Sequence, residues 1–346
     1  MQRNRTSERP HARNLVLLLA LAFSSSAPAA VPPDDSAYAA PQQRVEIVGG
    51  RKMNLYCLGN GAPTVVFDSG LSDWSFTWAL VHPRVAKLTR ACVYDRAGLG
   101  YSDPANRAAT SNNMVDDLHR LLKAAQITPP YVLVGHSLGG LNVRLYADRF
   151  LGEVAGMVLV DPSHEDGIAR IDAQRHGQET RRYAAEIKRW RACARTSSKQ
   201  NLTAPWRLQC IEPDDRRYSA ELNAERVKIA QRRSYQIAQL SEAVNYLNGR
   251  SFAFVRAARR DYGALPLVVL SAAQTTNDAG PDWLQMHREL ASLSSLGVQR
   301  TVTAGHYVQL DQPDSVIEAI ASVLQQASLL TTFNQSNQPR LVTPLH

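Results

Sequence analysis

Long apolar runs are missing from this chain of 346 residues. The longest, at positions 15–23, is nine residues, about half of what a helix needs to cross a bilayer. Cysteine is scarce: the four residues, Cys57, Cys92, Cys193 and Cys210, form no CxxC pair and have no histidine beside them, which argues against a structural zinc site. The glycine run at Gly98 and Gly100 lacks both the lysine of a P-loop and the third glycine of a dinucleotide fingerprint. No zinc-finger or RNP-type motif accompanies the basic composition, so nucleic acid is not an expected partner. Calcium, zinc and haem motifs are absent too, and neither a cofactor nor a metal is expected. What remains is an ordinary globular composition, 44% apolar and 20% charged.

The ends differ from the middle. Arg3, Arg5, Arg9 and Arg13 precede the nine-residue apolar run, and Ala27-Pro28-Ala29-Ala30 follows it. That order predicts a secretory signal peptide over residues 1–30, and hence an exported protein, periplasmic or secreted. A Pro/Ala/Ser-rich linker is expected over 31–43, and a flexible tail over 328–346. An even cysteine count in an exported chain favours disulfides, although four cysteines allow three pairings. Cys57 and Cys92 each fall in a predicted strand, and Cys193 and Cys210 could close a loop inside the stretch at 163–263. The pairs Cys57–Cys92 and Cys193–Cys210 are therefore expected.

The formal charge of +8 is unevenly placed: residues 163–263 hold twenty Lys/Arg against twelve Asp/Glu. Such a face attracts anionic substrates or an anionic membrane surface, or is simply a solvated helix surface. The sequence is silent on oligomeric state.

Between the ends, short apolar strands alternate with helical patterns. Strands are predicted at 44–48, 52–58, 63–68, 91–94, 131–134 and 156–160, with helices at 76–88 and 111–125. From 163 to 263 no strong strand appears, only polar helical blocks at 168–194 and 215–248. The pattern then resumes with a strand at 265–271, a helix at 282–295, a strand at 298–303 and a helix at 314–326. Alternation of this kind implies a largely parallel sheet covered on both faces. It divides the ordered chain into a core at 44–162, a helical insertion at 163–263 and a second core segment at 264–327.

One stretch organises the rest. Tyr131 to Val134 reads as a buried strand, and Leu138, Leu141, Leu145 and Tyr146 share one face of a helix. Between them stand Gly135, Ser137 and Gly139, the nucleophile-elbow pattern. A sharp strand-to-helix turn there would lift the Ser137 hydroxyl clear of the sheet and point a helix N-terminus at the reacting oxygen.

These residues carry a resemblance, together with Ser69-Gly70-Leu71 after the third strand, Asp95 to Ser102 after the fourth, and Gly305-His306 after the last. Over about 44–327 the chain resembles the α/β-hydrolase fold superfamily, in its AB hydrolase-1 type of serine hydrolase with a helical cap. The resemblance implies an eight-stranded, mostly parallel sheet with helices on both faces and a cap inserted after the sixth strand. It departs in one place: the loop after the third strand has Ser69-Gly70 where a His-Gly pair is usual.

A serine hydroxyl needs a base within reach, and His306, after the last strand, is the histidine best placed to supply it. His136 reads as a packing residue, and His164 as a cavity-lining or hinge residue. A carboxylate must fix the tautomer of the base. Asp161 ends the sixth strand, and Asp278 lies in a long loop expected after the seventh, where this fold most often carries its acid. Asp161 is the first choice and Asp278 the second; the backbone N–H groups of Leu71 and Leu138 are the candidate oxyanion hole. The expected function is a cofactor-independent serine carboxylesterase acting through an acyl-enzyme on a small ester-type substrate. The alternatives are a membrane-surface lipase, a small-amide or peptide hydrolase, and a non-catalytic binding protein on the same fold.

Overall fold

The computed structural model describes residues 34–197 and 203–336. The expected signal peptide, the first linker residues and the tail from 337 onward lie outside the described residues. Eight strands form one sheet: β1 (Gln43–Glu46), β2 (Lys52–Leu58), β3 (Thr64–Asp68), β4 (Ala91–Tyr94), β5 (Tyr131–His136), β6 (Val154–Val160), β7 (Leu267–Ala272) and β8 (Gly297–Val302). Their order is β1-β2-β4-β3-β5-β6-β7-β8. β2 pairs antiparallel with β1 and with β4, and every other pairing is parallel. The fold is the α/β-hydrolase fold.

Continuous apolar runs make the central strands because both faces are covered. β3, β4, β5 and β7 are buried along their whole length. Alternation along β5 sorts its side chains: Leu133 enters the layer with Leu118, Leu141 and Phe252, whereas Val132 and Val134 enter the layer with Trp78, Val85 and Ile320. Helices α2 (Ser111–Ala124), α3 (Leu138–Arg149) and α9 (Arg250–Ala258) contribute to the first layer, and α1 (His82–Val85) and α13 (Pro313–Ser336) to the second.

Between β6 and β7 lie α4 (Gly167–Arg175), α5 (Gln178–Thr196), α6 (Ala204–Cys210), α7 (Ala220–Ala230), α8 (Arg233–Leu247) and α9. Two disulfides are present. Cys57–Cys92 joins register partners on β2 and β4, and Cys193–Cys210 ties α5 to α6. Among the described residues no helix is long and apolar enough to cross a membrane.

Several local expectations differ from what is found, and the block at 215–248 is two helices, α7 and α8, with Gln231 and Arg232 between them. The helix expected at 76–88 is a 3-10 turn, Ser75–Trp78, and the single turn α1, because Pro83 enters as a helix start. The block at 168–194 breaks at His176 and Gly177, both with positive φ, a helix-ending conformation. The segment after β7 is a helix, α10 (Ala273–Ala279), followed by α11 (Pro281–Ala291) and α12 (Val308–Asp311). The tail expected from residue 328 is still helical to Ser336, because Val316, Ile320, Val323 and Ala327 dock α13 on the core and carry the helix onward.

Candidate active site

Ser137 occupies the step from β5 to α3 with φ +52° and ψ −116°, a backbone conformation that costs strain and persists because its surroundings fix it. Its N–H donates to the Val160 carbonyl at 3.2 Å, and its own carbonyl accepts from Gly140 at 2.9 Å and Ser163 at 3.0 Å. The flanking glycines are sterically required. A Cβ on Gly135 would stand 2.5 Å from the Gly139 carbonyl oxygen, and one on Gly139 would stand 2.3 Å from that of Asp68. Leu138 opens α3, so its N–H has no intrahelical acceptor.

His306 Nδ1 lies 2.7 Å from Asp161 Oδ2. Asp161 is fully buried, at φ +39°, and its other oxygen accepts from the Ala272 amide at 3.0 Å and the Trp283 indole at 3.3 Å. Burial alone would raise the Asp161 pKa; the hydrogen bond and charge of His306, helped by His287 and the Ala272 amide, hold it below the usual value. A proton on Nδ1 of His306 leaves Nε2 as the acceptor. The side chain is 39% exposed and shares a cavity of about 290 Å³ with Ser137. Ile168, Ile171, Tyr183, Tyr246 and Trp283 give that cavity its apolar wall, and His164 lines it too. His164 accepts from the Asp166 amide at 3.1 Å, and burial pushes its pKa down to about 4. Asp278 stands apart, exposed on α10.

The position before the serine does more than pack. His136 Nε2 donates to the His306 carbonyl at 2.9 Å, and the two rings lie 4.7 Å apart. Its pKa is pushed down to about 3, by burial first and by His306 second, so the ring is neutral and Nδ1 is an acceptor. His287 supports Asp161 from behind: it meets Ser271 Oγ at 2.7 Å and the Pro162 carbonyl at 2.9 Å.

The loop after β3 is fixed by a buried guanidinium. Arg96 donates to the Ser69 carbonyl at 2.6 Å and the Gly70 carbonyl at 2.5 Å, while pairing with Asp68 at 2.7 Å and with Glu242 at 2.6 Å. A trans peptide points its N–H opposite to its C=O. Holding the Gly70 oxygen on Arg96 therefore turns the Leu71 N–H away from Arg96. Glu242, on α8, also accepts from the Ser72 amide at 2.8 Å. Sequence reading placed Arg96 only within the Asp95–Ser102 segment after the fourth strand and missed Glu242. One signal was available: Glu242 is the single charged residue between Ser234 and Leu247.

The alpha/beta hydrolase family model matches residues 65–319, and the chain belongs to that family. It is 26% identical over 270 residues to the uncharacterized protein YqjL of Bacillus subtilis, covering 77% of this chain and 85% of that one. It is 33% identical over 130 residues to a 2-hydroxymuconate semialdehyde hydrolase of a Pseudomonas species, covering 35% of this chain and 45% of that protein. Among solved structures it resembles a thermophilic esterase from Thermogutta terrifontis, with a TM-score of 0.57 and 20% identity over 83% of this chain and 99% of that one. Hydrolase activity on a small molecule follows from the family.

Proposed function

We propose that the protein is a serine hydrolase that cleaves carboxylic esters through an acyl-enzyme, without a cofactor, in an oxidising compartment outside the cytoplasm. The observation that carries the reading is the bond from His306 to buried Asp161, in the cavity that holds Ser137 at its strained turn. His306 Nε2 takes the hydroxyl proton as Ser137 Oγ attacks the ester carbonyl. Asp161 stabilises the imidazolium that forms, and the N–H groups of Leu138 and Leu71 receive the charge on the carbonyl oxygen. Collapse breaks the ester bond, and the alcohol leaves with the proton from His306. Water, deprotonated by the same nitrogen, then releases the acid and restores Ser137. A serine at the elbow, rather than a carboxylate, favours this route over attack on an epoxide or a halide carbon. Export is supported by the leader-like residues 1–30 and by the two disulfides.

The test is a series of p-nitrophenyl esters from acetate to palmitate, with fluorophosphonate labelling. The wild type should cleave part of the series and take the label on Ser137. Ser137→Ala should lose the label and, by the scale of serine proteases, roughly a million-fold in turnover. A wild type that neither labels nor cleaves any chain length sinks the reading.

A further inference from the structure

The turn that carries Leu71 is held by the insertion. The Asp73 N–H closes onto the Gly70 carbonyl at 3.2 Å, so residues 70–73 form a four-residue turn with Leu71 and Ser72 at its corners. Ser72 has φ +69°. Turns with a positive φ at the second corner take glycine or asparagine there, because other side chains strain the left-handed conformation. A serine in that place needs support from outside the turn.

Helix α8 supplies it on both sides of the residue. Glu242 accepts from the Ser72 N–H at 2.8 Å, and the Tyr235 hydroxyl donates to the Ser72 carbonyl at 3.2 Å. Tyr235 and Glu242 are seven residues apart, close to two helical turns, and so lie on one face of α8. All three residues are buried. The relaxed alternative is the ordinary type I turn, reached by flipping the peptide between Leu71 and Ser72. In a trans peptide such a flip reverses both groups. It would turn the Ser72 N–H away from Glu242 and present the Leu71 carbonyl to that carboxylate, two acceptors facing each other in a buried place. Arg96 keeps Glu242 there, at 2.6 Å from one oxygen and 3.0 Å from the other.

We propose that Tyr235 and Glu242 are positioning residues for the reaction: through Ser72 they keep the adjoining Leu71 N–H aimed at the carbonyl oxygen of the substrate. The proposal rests on the ester-hydrolase reading, in which Leu71 is an oxyanion donor. Neither residue lines the cavity of Ser137, so their loss should be felt in kcat and not in KM.

Tyr235→Phe removes one hydroxyl and little else. On a p-nitrophenyl ester its kcat should fall about five- to tenfold, with KM within about twofold of the wild type. Glu242→Gln, which also disturbs the Arg96 pair, should lose about ten- to a hundredfold, less than outright loss of an oxyanion donor costs. An alkyl trifluoromethyl ketone, whose hemiketal with Ser137 carries the oxyanion, should bind more weakly by the same factors. Glycine separates positioning from general loosening, because it adopts φ +69° without strain. In a Ser72→Gly background, Tyr235→Phe should therefore cost less than about twofold in kcat. An equal cost in both backgrounds overturns the proposal, as do variants that melt lower yet keep the wild-type kcat; ester hydrolysis then still stands. A loss confined to KM overturns it too, by making these residues substrate contacts. A wild type that neither cleaves nor labels sinks the ester-hydrolase reading itself, and the proposal with it.

Discussion

The carbonyl oxygen of His306 accepts a hydrogen bond from Nε2 of His136, 2.9 Å away, so the residue before the proposed nucleophile holds the loop of the proposed base. His136→Phe keeps a ring of similar size and removes the donor. Leaving that carbonyl without its partner should cost about 1–3 kcal/mol, read as a lower Tm, and kcat should fall about ten- to a hundredfold. The shape of the pH–rate profile between pH 5 and 8 should stay the same, because His136 is already neutral there. A changed shape would give His136 a titrating role and refute the positioning role.

The two candidate acids separate cleanly. Asp161→Asn should lower kcat by about ten-thousandfold, as loss of the orienting carboxylate does in serine proteases. Asp278→Asn, on the exposed face of α10, should change kcat by less than about twofold. Steady-state kinetics on one p-nitrophenyl ester decides it, and the reverse ranking would make Asp278 the acid.

Asp73 should make stability depend on pH. Burial raises its pKa to about 7 against the opposing fields of Arg96, Arg226 and His306 and the Tyr307 hydroxyl. A carboxyl raised on folding binds more protons in the native than in the unfolded chain, so stability is highest below the ordinary value near 4. It falls as the pH rises towards 7 and is lowest above that. Asp73→Asn removes this carboxyl's share of the slope. The variant should match the wild type at pH 4 and be more stable at pH 8, by about 2–4 kcal/mol at one pKa unit to 1.4 kcal/mol. Thermal melts across that range measure it, and a variant less stable at pH 8 would contradict it.

The Cys193–Cys210 bridge spans 17 residues of sequence. Replacing both cysteines by serine should cost about 3 kcal/mol through the freed unfolded chain. Melts with and without reductant check this. The variant should melt lower than the oxidised wild type, and its unchanged Cys57–Cys92 pair, at a buried strand register, should still be disulfide-bonded by mass spectrometry.

The sheet was legible because its central strands are continuous apolar runs, and Tyr131 to Val134 followed by Gly135 and Ser137 locates the elbow without further help. The insertion was harder to read. Gln231 and Arg232 separate α7 from α8 with neither glycine nor proline to mark the break. Thr275, Thr276 and Asn277 are poor helix formers, yet they lie within α10. Spacing left Asp161 and Asp278 as rivals because the reach of a segment depends on how it folds, and a helix carries Asp278 to the surface. Arg96 and Glu242 are 146 residues apart in sequence, so their contact had no local trace beyond one lone charge in α8.

That contact makes the insertion and the loop after β3 a single inheritance. A foreign helical segment grafted between Val160 and Leu267 would have to bring its own acid to the place of Glu242. Without one, the buried guanidinium of Arg96 would lose a counter-charge, and the amide of Ser72 would lose its acceptor. Swapping caps to change substrate is therefore not a free exchange of modules in this chain: one glutamate travels with the graft.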